Sequence, residues 1–156
     1  MELTRTERAV EYFVNGANCA QAVVAAFADL MGMDEKAALR MAAPFGGGLA
    51  RQREVCGAVS GMCLVAGALY GYDDLADNDA KAAHYRMIRS LCDAFREAHS
   101  GYILCRDLLG VKNGGADTAP APTPRTEEYY RTRPCARQVG TAAAILEKYI
   151  SEHLMA

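Results

Sequence analysis

Residues 54–70 read EVCGAVSGMCLVAGALY. The run is apolar enough for a buried strand, yet it is too long for one. Glycine and alanine fall at helical spacing, with Gly57 and Gly61 as a GxxxG pair continued by Ala58 and Gly67. Such a stripe lets a second helix approach closely, so residues 55–70 are expected to form a central helix. A cysteine stands at its mouth, and no histidine lies nearby to activate it.

Working outward, the same period recurs. Thr4 and Glu7 fit a capping box, with Val10, Phe13 and Val14 as the apolar stripe behind it. Asn18 and Gln21 fit a second box, followed by Val23, Val24, Phe27, Leu30 and Met31, with Gly32 closing that helix. Asp34 caps a third helix, which should stop before Pro44. Residues 78–99 carry Ala80, Ala83, Met87, Leu91 and Phe95 on one face, and residues 103–109 predict a short helix. Pro134 suits the first turn of a last helix whose core face is Val139, Ala142, Ala143, Leu146, Tyr149 and Ile150. No alternating strand pattern and no repeat occurs. The expected fold is all-α, a compact multi-helix bundle around the small-residue helix. One domain over 1–156 is expected, with 111–125, rich in proline, as an exposed loop.

Composition limits the function. The chain has 156 residues and a formal net charge of −2. That excludes a basic nucleic-acid face, and no apolar run spans a bilayer. The N-terminus reads as a charged helix start and not a signal peptide, so a cytoplasmic protein is expected. GGGLARQR, residues 46–53, lacks the lysine and hydroxyl residue of a phosphate-binding loop and follows a helix. It reads as a tight turn needing positive φ. His84, His99 and His153 sit in no metal or haem motif, read as surface residues and receive no role.

The six cysteines are Cys19, Cys56, Cys63, Cys92, Cys105 and Cys135. In a reducing compartment such a number points to a metal site or to thiol chemistry. Cys19, Cys56 and Cys135 fall at predicted helix starts, where unpaired N–H groups favour a thiolate. Arginines repeat the pattern: Arg51 and Arg53 precede Cys56, Arg106 follows Cys105, and Arg133 and Arg137 flank Cys135. Cys63, two turns after Cys56 on the same helix face, and Cys92, with neither cap nor breaker nearby, read as small core residues.

With NCAQAV around Cys19, FGGGLARQREVCGAVSG through Cys56, ILCRDLLG around Cys105 and RPCARQV around Cys135, the chain resembles the redox-active protein family named for its C-GCAxxG-C-C cysteine pattern. The family's central C-G-A-x-x-G is Cys56-Gly57-Ala58-Val59-Ser60-Gly61 here. The resemblance implies a helical domain of this length with four recurring cysteines and a redox role. A related domain occurs in split-Soret cytochromes c, beside haem-binding segments and a proposed iron–sulfur site. This chain lacks a haem motif, so no haem is expected.

Three functions follow. Cys19, Cys56, Cys105 and Cys135 can hold an iron–sulfur cluster for electron transfer, the glycines clearing room for sulfide. A variant is a structural zinc ion on the same four. The second is a thiol–disulfide protein or sensor, with Cys56 as nucleophile and one of the other three as partner. The third is a non-catalytic helical interaction module. Expected partners are a redox protein and, through the small-residue helix, a second copy as a homodimer, with no nucleic acid and no membrane insertion.

Overall fold

The computed structural model describes residues 2–153, so Met1 and residues 154–156 of the expected domain lie outside it. Among the described residues there are eight α-helices: α1 (Arg5–Val14), α2 (Cys19–Ala26), α3 (Glu35–Ala42), α4 (Gly57–Tyr70), α5 (Asn78–Ala98), α6 (Cys105–Leu109), α7 (Glu127–Thr132) and α8 (Cys135–Glu152). No strand is present among them, so the all-α expectation holds. One isolated antiparallel bridge joins Val55 to Leu104.

The caps form as the sequence predicts. Thr4 Oγ1 accepts from the Glu7 amide while Glu7 Oε2 accepts from Thr4 N. Asn18 and Gln21 exchange the same pair of bonds at 2.9 and 3.0 Å. Each box satisfies two amides that a helix start leaves without partners. Gln21 does more, because its Nε2 donates to Leu39 O and ties α2 to α3.

The centre is a pair of helices. On α4, Gly57, Ala58, Val59, Gly61, Met62, Val65 and Ala66 are buried. Helix α2 packs against it and also against α1, α3 and α8. Glycine makes the approach possible: a Cβ on Gly61 would lie 2.9 Å from Ala20 O, and one on Gly57 would lie 2.9 Å from Phe45 O. Gly67 does not belong to this contact, since a Cβ there meets nothing within 4 Å. Phe13, Phe27, Phe95, Met62 and Leu146 fill the space between helices. Burial of each contributes about 1.5–3 kcal/mol.

Several boundaries differ from expectation. Helix α2 ends at Ala26, and Leu30 is exposed. Arg5 closes that end, donating from Nη1 to Ala26 O and Asp29 Oδ1. Helix α3 does stop before Pro44, at Ala42, and Pro44 lies in a 3-10 turn, Ala43–Phe45, where its missing N–H is harmless. Val55 is in the bridge and not in α4. Helix α5 buries only Leu91 and Phe95, while Ala83 is exposed. His99 is buried and not a surface residue: its Nε2 lies 3.0 Å from Thr141 Oγ1, and its ring packs on Phe95.

Candidate functional site

Each of the four cysteines begins a helix. Cys19, Cys105 and Cys135 are the first residues of α2, α6 and α8, and Cys56 is the cap of α4. The bridge aligns two of the four segments, since Cys56 N donates to Ile103 O and Cys105 N donates to Glu54 O. Gly57 lets the start of α2 come against the start of α4, with Cys19 Cβ 3.2 Å from where its own Cβ would be. All four cysteines line one cavity of about 290 Å³. Cys63 and Cys92 do not line it.

The cavity wall is cationic. Arg51, Arg53, Arg125 and Arg133 line it, and no aspartate or glutamate does among the described residues. Arg53 is 3 % exposed; its Nε donates to Asp117 O and its Nη1 to Cys105 Sγ at 3.5 Å, while Nη2 has no partner. A buried donor left unpaired costs about 1–3 kcal/mol. Arg51 donates to Ala119 O and pairs with Asp117 at 3.1 Å. Arg125 comes from the proline-containing loop and donates to Phe13 O and Ala17 O. Arg125 and Arg133 each lie 5.0 Å from the centre of the Tyr129 ring.

The segment that delivers Arg51 and Arg53 is strained. Gly47 and Gly48 have positive φ, and so do Leu49, Ala50, Arg51 and Arg53 at 66°, 49°, 64° and 61°. The left-handed region costs a non-glycine residue about 1–2 kcal/mol. Backbone bonds such as Ala50 N to Pro44 O and Glu54 N to Gly48 O hold it closed. Strain maintained in this way concentrates at functional sites. Gly48 also makes room for Cys105, whose Cβ would lie 2.7 Å from any Cβ there.

Burial overturns the expectation that helix starts lower the thiol pKa values. Cys56 is pushed up to about 12 by desolvation, against the opposing pull of the Ala58 and Val59 amides. Cys105 is also raised by burial, although Arg53 acts the other way. The Cys19 and Cys135 thiols act on each other. Cys19 is raised by its neighbour Cys135 and by burial, and Cys135 is lowered by Cys19, with Arg133, Arg125 and Arg53 assisting.

The arginine expectation is met in part. Arg133 acts on Cys135, but Arg53 serves Cys105 and not the nearer Cys56. Arg106 turns away to Glu54, and Arg137 donates to Ala98 O. Sequence reading missed Arg125, Tyr129 and Gln138. Gln138 is buried and its Oε1 accepts from Cys56 Sγ at 3.7 Å. The signal was there: it stands three residues after Cys135, a polar side chain beside the apolar face that begins with Val139.

Four thiols from four segments are soft ligands suited to iron–sulfur chemistry. The unpaired Arg53 donor and the absence of carboxylates from the wall fit a group carrying negative charge. No three histidine, cysteine or carboxylate side chains among the described residues are placed to hold a metal ion. No helix is long and apolar enough to cross a membrane among those residues.

A family model described as "putative redox-active protein (C-GCAxxG-C-C)" matches residues 17–149. No curated protein and no solved structure matches the chain.

Proposed function

This chain belongs to the redox-active protein family of the C-GCAxxG-C-C pattern, and on that premise we propose that it is an electron-transfer protein whose Cys19, Cys56, Cys105 and Cys135 hold an iron–sulfur cluster. The observation that carries this reading is the shared cavity: four cysteines line it together with four arginines. A cluster bound by four thiolates is negatively charged, and bound there it supplies one-electron transfer. Arg53, Arg125 and Arg133 offset the charge of the thiolates. The Ala58 and Val59 amides favour the Cys56 thiolate against its burial, and Gln138 Oε1 accepts from Cys56 Sγ. Tyr129, between Arg125 and Arg133, and the loop residues Pro120 and Pro122 limit access of water.

A single zinc ion is less well supported. It draws its four sulfurs to about 2.3 Å from one centre, and no group of three ligands is so placed among the described residues. A multi-iron core asks for a wider spread of the same four thiols.

One observation favours a second reading, a metal-free dithiol. The Cys19 and Cys135 thiols line the same cavity and shift each other's ionisation in opposite directions. Under that reading the nucleophile is Cys135, since burial disfavours the Cys56 thiolate. Single serine variants prepared without oxygen separate the two. Under the cluster reading, each of the four loses the visible absorption of the protein, while Cys63→Ser and Cys92→Ser keep it. Retained absorption in all four would leave the dithiol.

A further inference from the structure

Three of the four guanidiniums that line the cavity have no acidic partner. Asp117 pairs with Arg51 at 3.1 Å, and no salt bridge reaches Arg53, Arg125 or Arg133 among the described residues. Water cannot make good the difference at Arg53, which is 3 % exposed. Its Nε and Nη1 donate to Asp117 O and Cys105 Sγ, while Nη2 is buried without a partner. An arginine does not shed its proton to escape such a site. A buried charge is tolerated when it is paired, so an anionic ligand in the cavity supplies what the chain itself does not.

Thr123 adds a second unused donor. Its Oγ1 accepts from Arg51 Nη1 at 3.1 Å and from Arg133 Nη2 at 3.3 Å. Its own O–H therefore has no lone pair left to share, and it meets no protein acceptor among the described residues. Thr123 and Arg133 line the same cavity as Arg53. The three come from separate segments: the loop before α4, the proline-containing loop, and the turn between α7 and α8. The glycine-rich segment thus contributes Arg51 and Arg53, and not a phosphate-cradling backbone.

Charge and shape select the ligand. Three unpaired cations leave an excess of two beside a monoanion and of one beside a dianion. A tetrahedral ion presents oxygens in four directions, which suits donors from three segments better than the single plane of a carboxylate. Guanidinium forks favour paired oxygens over a halide. We propose that, with no metal bound, the cavity takes a divalent tetrahedral oxyanion of the phosphate and sulfate class, held by Arg53, Arg133 and Thr123. The proposal stands apart from the cluster reading, because these three groups line the cavity whatever the cysteines hold.

The test uses the reduced, metal-free full chain at constant ionic strength, with sodium sulfate or sodium phosphate replacing chloride. Neutral iodoacetamide reports on the cavity, and peptide mass spectrometry reads each cysteine separately. Both anions should slow alkylation of Cys105 and Cys135 in a saturable way, while Cys63, which does not line the cavity, keeps its rate. Acetate should leave all three rates at their chloride values. In Arg53→Met, measured against its own rate in chloride, the half-saturating sulfate concentration should rise about tenfold or more. Arg86→Met, on the exposed face of α5, should not change it. Rates for Cys105 and Cys135 that are equal in chloride, sulfate and phosphate would overturn the proposal, as would equal protection by acetate. The wild-type rates decide the matter even if Arg53→Met does not fold. Iron and sulfide analysis reports on the cluster separately, so the failure of one reading is not the failure of the other.

Discussion

Arg53 reaches past Cys56, three residues ahead of it in the chain, and donates from Nη1 to Cys105 Sγ across 3.5 Å. The link connects the strained loop before α4 to the start of α6. It places a positive charge beside a sulfur whose pKa burial raises, and works against that rise without cancelling it.

Arg53→Met keeps much of the volume and removes the donors. The Asp117 carbonyl and the Cys105 sulfur then lose their partner. Unfolding in urea should show a loss of about 1–3 kcal/mol. Alkylation of Cys105 in the reduced protein should slow at fixed pH, because its thiolate has lost a cation. An unchanged alkylation rate would show that Arg53 does not act on the sulfur.

The central glycines should separate cleanly by position. Gly61→Ala forces a Cβ to 2.9 Å from the Ala20 carbonyl and 3.1 Å from Val23 Cβ, so α2 and α4 must part. A loss of about 1–3 kcal/mol is expected. Gly67→Ala meets open space on the same helix and should stabilise by about 0.5–1 kcal/mol. Chemical denaturation of the two variants checks both signs at once.

Glycine should help where it usually harms. Ala50 is exposed and sits at φ 49° within the left-handed run. Ala50→Gly removes a strain of about 1–2 kcal/mol, partly offset by the greater freedom of glycine in the unfolded chain. A higher melting temperature is the expected result, and a lower one would mean that the loop is not strained at this residue.

The folding stability of the reduced, metal-free protein should peak near the ordinary thiol pKa, about 8.5. Cys56 is pushed up to about 12, and Cys19 and Cys105 are also raised. A thiol raised on folding contributes stability that is complete below its unfolded pKa and is lost as pH climbs toward the folded one. Cys135 and Cys92 run the other way, each lowered to about 7 by its partner thiol. Their contribution is present above the unfolded value and is lost as pH falls through about 7. Urea midpoints between pH 6 and 10.5 should therefore form a dome. A midpoint still rising at pH 10 would contradict the burial of these thiols.

Local chemistry made much of the fold legible. Caps at Thr4, Asn18 and Asp34 and the stripe of α4 are short-range signals, and they placed helix starts to within a residue or two. The four cysteines stood out because helix starts and arginines are also local. What escaped depends on packing. Leu30 looked like core until α2 ended early at Ala26. His99 looked like surface until α8 supplied Thr141. Arg125 and Tyr129 enter the site only because the loop and α7 fold over it, and no local pattern announces that. The mutual influence of the Cys63 and Cys92 thiols links residues 29 apart on different helices, and each alone resembles a small core side chain. The helix-start argument gave the position of the thiols correctly, but the charge state follows from burial, which no single segment encodes.

The central claim is that Cys19, Cys56, Cys105 and Cys135 hold one iron–sulfur cluster. The most direct measurement is iron and acid-labile sulfide on wild-type protein purified without oxygen, with the visible spectrum of the same sample before and after dithionite. Iron and sulfide in equal and stoichiometric amounts, with charge-transfer absorption bleached by the reductant, is the predicted result. Iron and sulfide both absent, even after anaerobic reconstitution, would contradict it and leave the Cys19–Cys135 dithiol as the chemistry of the cavity.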